Sequence, residues 1–466
     1  MESVRAAPDQ VFAANETPTP GLATGTIRPN EIIAVPVTAM KALRWSLHVP
    51  PATPQHPVRN TLLSAVDSPQ PVSPAASAGS ASGLPASYDA TRAHARSLYA
   101  STPLPSDAEE LWRYSRINEL NCSRYSTAHS AADTVHVELP PSAIDLGVVV
   151  LRGEEAKASG LFGTILSDDL DALTLLGVAT AEDIVVIDIP AGKVVTDPIR
   201  LTRTLRSDNA VIASRIFIRA QENSEATIIE RLSSTDIDSL AIPLTELSVA
   251  RAARLRLVSV QELGPRMWQV GTTAALTGGD ATLSTMAVAL GGSYARLRID
   301  ATITAKGGHN ELMAVYFGEG TQMHDFRTMQ NHVAPRTTSD LLFKGAVEDF
   351  AKSVYSGLIR ITKDGRGTSA NQTNRNLILS KNASAESVPN LEIDNNDVKC
   401  SHASAIGPID DDHRYYLESR GVPPEVAERL IVQGFFADLL ERIPDEALRD
   451  QLIDAVRAKF DRRANQ

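Results

Sequence analysis

The chain has 466 residues, 43% of them hydrophobic and 22% charged, with 45 Lys plus Arg against 56 Asp plus Glu for a net charge of -11. That length buries a substantial core, and the acidic balance, with no clustered basic stripe, argues against a nucleic-acid-binding surface. Two cysteines, Cys122 and Cys400, are too few for a disulfide framework, and no apolar run reaches the roughly 18 residues that a membrane helix needs; a soluble protein of a reducing compartment such as the cytoplasm, with no membrane partner, is expected.

Residues 1–88 hold 13 of the 27 prolines together with Ala, Ser and Thr runs. Such a composition buries too little surface to offset the ordering of the chain, so this stretch is expected to be a poorly ordered tail. Glu2, Asp9, Glu16 and Glu31 argue against an organellar transit peptide. A mixed, largely helical region is expected over 89–180. Within it Tyr88 to Arg96 lacks breakers, and Ser106 to Glu110 reads as an N-terminal cap leading into a helix through Leu111-Trp112-Arg113-Tyr114.

Over 181–406 the helical period disappears. Short β-branched or alternating runs, among them Ile184 to Ile187, Val211 to Ile218, Leu255 to Val260 and Leu358 to Ile361, are separated by turn pairs such as Gly278-Gly279, Gly307-Gly308 and Asp364-Gly365. The run is too long for one sandwich and lacks the repeated Trp-Asp of a propeller. A parallel β-helix, whose open ends need covering, fits best. The fold class is therefore mainly β, with a helical N-terminal region and a C-terminal helical domain over 407–466. There Asp410-Asp411-Asp412 reads as a helix cap rather than a metal site, Gly421 as a stop, and Pro423-Pro424 as the start of a second helix carrying Val426, Leu430, Ile431, Gly434 and Phe435 on one face.

Most catalytic motifs are missing. Ala191-Gly192-Lys193 lacks the upstream glycine and the following hydroxyl of a phosphate loop, so no nucleotide is expected on this chain. Gly365 to Ala370 imitates a dinucleotide fingerprint but runs into Asn376-Leu377-Ile378-Leu379, and is read as a turn. His324 and His332 are read as structural. The informative stretch is Asn395-Asn396-Asp397-Val398-Lys399-Cys400-Ser401-His402. Side chains at i and i+2 leave a strand on one face, so Cys400 and His402 converge. Thiolate with imidazole suits iron, zinc or an iron-sulfur cluster, but a tetrahedral centre needs two further ligands. Against this stand three other readings: an inert strand cysteine beside a polar neighbour, a Cys-His hydrolase, and a carbohydrate-active β-helix using Asp394 and Asp397.

Several motifs carry a more specific resemblance. His324-Asp325-Phe326-Arg327-Thr328, Gln372-Thr373-Asn374-Arg375-Asn376, Pro389-Asn390-Leu391-Glu392-Ile393, Asp397-Val398-Lys399-Cys400-Ser401-His402 and Tyr416-Leu417-Glu418-Ser419-Arg420-Gly421 resemble, in that order, the SufB/SufD family of iron-sulfur cluster assembly proteins. The Lys-Cys-Ser-His version points to the SufD branch. The match is strong after residue 320 and weak before it, and the residues 1–88 tail and Ala403, where the family has glycine, depart from the pattern. The resemblance implies a right-handed parallel β-helix that pairs with a SufB-like subunit and binds a SufC-like ATPase through its C-terminal helices, here Tyr416, Leu430, Ile431 and Phe435. It implies a non-catalytic scaffold in which Cys400 and His402 hold iron or a transient iron-sulfur cluster shared with the partner. A low-pKa thiolate at Cys400, paired with the imidazole, is the form expected to take the metal. Movement of the C-terminal helices on ATP-driven closure of the SufC pair would reorganise that site.

Overall fold

A computed structural model describes residues 87–127, 130–166 and 170–463. The tail expected over 1–88 lies outside the described residues except for Ser87 and Tyr88. Ser87 caps the first helix by accepting a hydrogen bond from the Ala90 amide. The N-terminal region then runs α1 (Tyr88–Ser101), β1 (His136–Glu138), α2 (Pro141–Asp145), β2 (Val149–Arg152), α3 (Gly153–Ala158) and α4 (Ala172–Thr180).

The strands that follow form two long sheets. One pairs, in order, β3 (Asp183–Ile189), β5 (Val211–Ala220), β7 (Leu240–Val249), β9 (Trp268–Thr277), β11 (Tyr294–Ile303), β13 (Met323–His332), β15 (Lys352–Ile361) and β17 (Ser384–Ile393). The other pairs β4 (Ile199–Leu205), β6 (Glu225–Ser234), β8 (Arg254–Glu262), β10 (Thr282–Ala289), β12 (His309–Gly318), β14 (Thr338–Val347), β16 (Ser369–Ile378) and β18 (Lys399–Gly407). Each odd strand and the even strand after it complete one turn of a parallel β-solenoid of about eight turns. At its first turn, β1 and β2 pair antiparallel with β4 and β3. Three helices close the described chain: α5 (Asp411–Ser419), α6 (Pro424–Leu440) and α7 (Glu446–Arg463).

Register explains why the turns stack. Parallel strands in register place equivalent residues in columns, so Ile228, Leu257, Thr285, Leu312 and Leu341 succeed one another along the interior. Corners with a left-handed backbone are taken by Asn209, Asn223, Asp280 and Asp349, whose short polar side chains tolerate that conformation. The outer faces are covered as well. Helices α1 and α4 and the segment around Trp112 pack on the odd sheet. Helices α6 and α7 lay Val432, Phe436, Leu439, Leu452 and Phe460 on Val258, Val260, Met286, Val288, Met313, Val315 and Phe317, the outward residues of even strands.

The helix expected through Leu111 to Tyr114 does not form. Its cap does: the Ser106 amide donates to Glu109 Oε1 at 2.9 Å and the Ala108 amide to Ser106 Oγ at 3.2 Å. After one short 3₁₀ turn, Glu110–Trp112, the chain breaks at Tyr114 with φ 65°. Tertiary contacts decide the outcome. Trp112 is buried under the Arg296 guanidinium, 3.8 Å from its ring, while Arg296 donates to the Leu111 carbonyl at 2.9 Å and Arg327 to the Arg113 carbonyl at 2.7 Å. Between the two arginines sits the buried Asp325, which also accepts from the Tyr294 hydroxyl at 2.7 Å. Burial opposes its charge, yet Arg296 and Arg327 hold its carboxyl below the usual carboxylate range.

Candidate functional site at the last turn

Sequence concentrates polar residues inside the last turns of the solenoid, where most inward residues of the earlier turns are apolar. His324 and His332 are fully buried in β13, as structural residues should be. His332 meets the hydroxyls of Thr337 and Ser339, each at 2.8 Å, and burial pushes its pKa down to about 4. His324 Nε2 lies 3.2 Å from the Gly291 carbonyl, and burial, aided by Lys459, pushes its pKa down to about 3. Both are neutral, and neither stands near Cys400 in the strand ladder.

Cys400 and His402 lie in β18, the end strand of the even sheet. Their register partners in β16 are Ala370 and Gln372, both buried inside the solenoid. Residues in register point the same way, so the thiol and the imidazole face the interior side of the last turn, which no further strand of the described residues covers. The expected convergence on one face is therefore present. Cys400 is half-buried against Ile359, Ile361, Ala370 and Ile393, and His402 is exposed. Beyond them Ser404 and Ile406 continue the same row, also exposed. In β17 no residue is fully buried.

The expected low-pKa thiolate is corrected by this environment. Burial among aliphatic side chains pushes the Cys400 thiol up to about 11, so near neutral pH it carries its proton. A protonated thiol is a poor nucleophile, which weakens the hydrolase reading. Among the described residues no group of three or more His, Cys, Asp or Glu stands together as a metal site. Asp397, invoked for a carbohydrate groove, instead ties its turn to the preceding one: it accepts from Arg366 at 2.9 Å, and its carbonyl accepts from the Gly367 amide at 2.7 Å. Cys122, the other thiol, is buried and raised to about 12.

The C-terminal residues separate into two groups. Asp410 caps α5 by accepting from the Asp412 amide at 2.8 Å, and α5 itself buries no residue. Tyr416 and Leu430 are exposed, with Tyr416 beside Arg420. Leu430 borders a groove between α6 and α7 lined also by Gly434, Ala437, Leu440, Ile453 and Val456. Ile431 is half-buried. Phe435 turns toward the solenoid, its ring 4.9 Å from Lys344 Nζ, which also donates to the Phe435 carbonyl at 2.8 Å and to Asp438 Oδ1 at 2.7 Å. Gln372, Asn374 and Asn376 carried only a family resemblance in the sequence, although their alternate spacing on one strand signalled a polar inward face.

Comparison with known proteins bears on this architecture directly. A family profile described as SUF system FeS cluster assembly, SufBD core domain, matches residues 203–435, from β4 to α6. The chain is also 30% identical over 363 residues to an iron-sulfur cluster assembly SufBD family protein of Mycobacterium leprae, a match covering 76% of this chain and 90% of that protein. The chain belongs to the SufBD family. Among its relatives, iron-sulfur cluster assembly protein SufD of Escherichia coli is 30% identical over 50% of this chain and 55% of its own length, and SufD of Bacillus subtilis is 26% identical over 62% and 67%. Among the described residues of this SufBD protein, no helix is long and apolar enough to cross a membrane.

Proposed function

We propose that this SufBD protein is a SufD-like, non-catalytic scaffold subunit that works in the cytoplasm with a SufB-like subunit and a SufC-like ATPase. Cys400 and His402 hold iron or a nascent iron-sulfur cluster at the seam with the SufB-like partner, which supplies the remaining ligands. The observation that carries this reading is the position of the two side chains: same face, last turn, uncovered strand edge. Two donors are too few to retain iron, and an open solenoid end is a surface made for another sheet. The raised thiol pKa fits a site that ionises only as metal arrives, since binding to Cys400 releases its proton.

The SufC-like partner docks on α5 and the groove beside Leu430, with Tyr416 and Ile431 flanking it. ATP is hydrolysed by that partner, and no nucleotide binds this chain. Support comes from the exposed apolar side chains there. Phe435, half-buried against Lys344, borders that surface. The test is cluster formation in a complex reconstituted from the three subunits. His402→Ala and Cys400→Ser are expected to assemble normally and to yield no cluster; wild-type yields from either variant would show that its side chain is not a ligand.

A further inference from the structure

Strand β16 alternates Gln372, Thr373, Asn374, Arg375 and Asn376, which turns three amides toward the solenoid interior, each at most 3% exposed. Two of the three are engaged. Asn374 Nδ2 donates to the Tyr316 hydroxyl at 2.9 Å, and Asn374 Oδ1 accepts from Asn376 Nδ2 at 2.8 Å. Asn376 Oδ1 in turn accepts from the hydroxyls of Tyr316 at 2.8 Å and Ser353 at 3.2 Å. Gln372 differs. Its amide lies beside the Tyr355 hydroxyl and Gly357, yet neither of its polar atoms makes a hydrogen bond of ordinary geometry. A buried amide in that condition costs stability, and a core of this kind has no packing reason to keep one.

The register supplies a reason. In β18 the residue directly in line with Gln372 is His402, with no strand beyond it among the described residues, whereas the residue in line with Cys400 is Ala370, which has nothing polar to offer. We infer that Gln372 is a positioning residue for His402: its amide fixes which ring nitrogen carries the proton and which is left with a free lone pair toward the open end. Side chains in register on neighbouring parallel strands stand about 4.8 Å apart, so amide and imidazole stack in one column. With a rotation of the Gln372 side chain its amide oxygen, unpartnered here, accepts from one ring N–H, as the carbonyl partner of a metal-binding histidine does, and the other nitrogen stays available. The inference rests on reading His402 as a ligand, and it adds the group that prepares it.

The experiment uses the full chain with ¹⁵N-labelled histidine at about pH 8. The His402 ring signals are identified by their loss in His402→Ala. In the wild type one tautomer dominates. Gln372→Met, of similar length but without the amide, is expected to bring both tautomers into exchange while keeping or raising the melting temperature; Gln372→Leu serves the same comparison if methionine disturbs the packing. Gln372→Glu restores an acceptor and returns a single tautomer. Unchanged His402 signals in both apolar variants would overturn the inference, as would failure of Gln372→Glu to restore the wild-type pattern. The two readings fail separately: wild-type cluster yield from His402→Ala removes the ligand role and leaves the tautomer result standing, whereas unchanged tautomers remove Gln372 alone.

Discussion

Acid should loosen this protein from the inside of the solenoid, and His332 gives the cleanest measure. Its two nitrogens are held by Thr337 and Ser339, and burial pushes its pKa down to about 4, from an ordinary value near 6.5 in the unfolded chain. Between those values the unfolded state binds a proton that the folded state refuses. Stability from this group is therefore complete above pH 6.5 and is lost as the pH falls toward 4. Linkage between about pH 7 and pH 5 gives a loss of about 2 kcal/mol from His332, and about as much again from His324. His332→Gln cannot titrate. Urea unfolding of the wild type and His332→Gln at about pH 7, 6 and 5 should show the wild type losing about 2 kcal/mol more across the range, because the carboxylates are common to both and cancel. Parallel curves would refute the argument, since they would mean that His332 is protonated as easily in the folded chain as in the unfolded one.

Removing one partner from the buried Asp325 cluster leaves two guanidinium groups uncompensated, so Asp325→Ala should lower stability by about 3–5 kcal/mol and free the Leu111 to Arg113 segment for proteolysis. At Gly345 an added Cβ would stand 1.9 Å from the Tyr316 ring and 2.5 Å from Asn376 Oδ1, so Gly345→Ala should cost about 1–3 kcal/mol or more, measured as a drop in unfolding midpoint. Leu430→Asp should abolish binding of the ATPase partner in a pull-down while changing stability by less than about 0.5 kcal/mol. Phe436→Ala, one turn and a half further along the same helix, should do the opposite, costing about 3–5 kcal/mol through the lost contact with the even sheet.

The solenoid was legible because parallel strands buried on both faces leave short β-branched runs and turn pairs that no helix interrupts. The length of the repeat was not. Side chains that hydrogen-bond between adjacent turns lie 29 residues apart at Ser259 and Glu230 and 31 apart at Arg219 and Asp188, but different residues occupy each turn, so only the spacing recurs. Cys400 and His402 could be placed on one face from their separation alone, because strand periodicity is local. The ionisation of Cys400 could not, since it depends on Ile359 and Ile393, which are distant in sequence. Trp112 shows the same limit: a genuine cap was present, and a cation 184 residues away in sequence at Arg296 drew the chain out of the helix it had begun.

The apolar seam between the terminal helices and the even sheet reaches from Ile229 in β6 to Leu377 in β16. A stack in which each turn touches only its neighbours unfolds piecemeal, and a clamp laid across these successive rungs welds them into one cooperative block. The final rung lies past the clamp and carries hardly any buried side chain, so its amide protons should exchange with solvent well before those of the block. Cys400 and His402 thus lie on the rung expected to open first, outside the block that the terminal helices hold together.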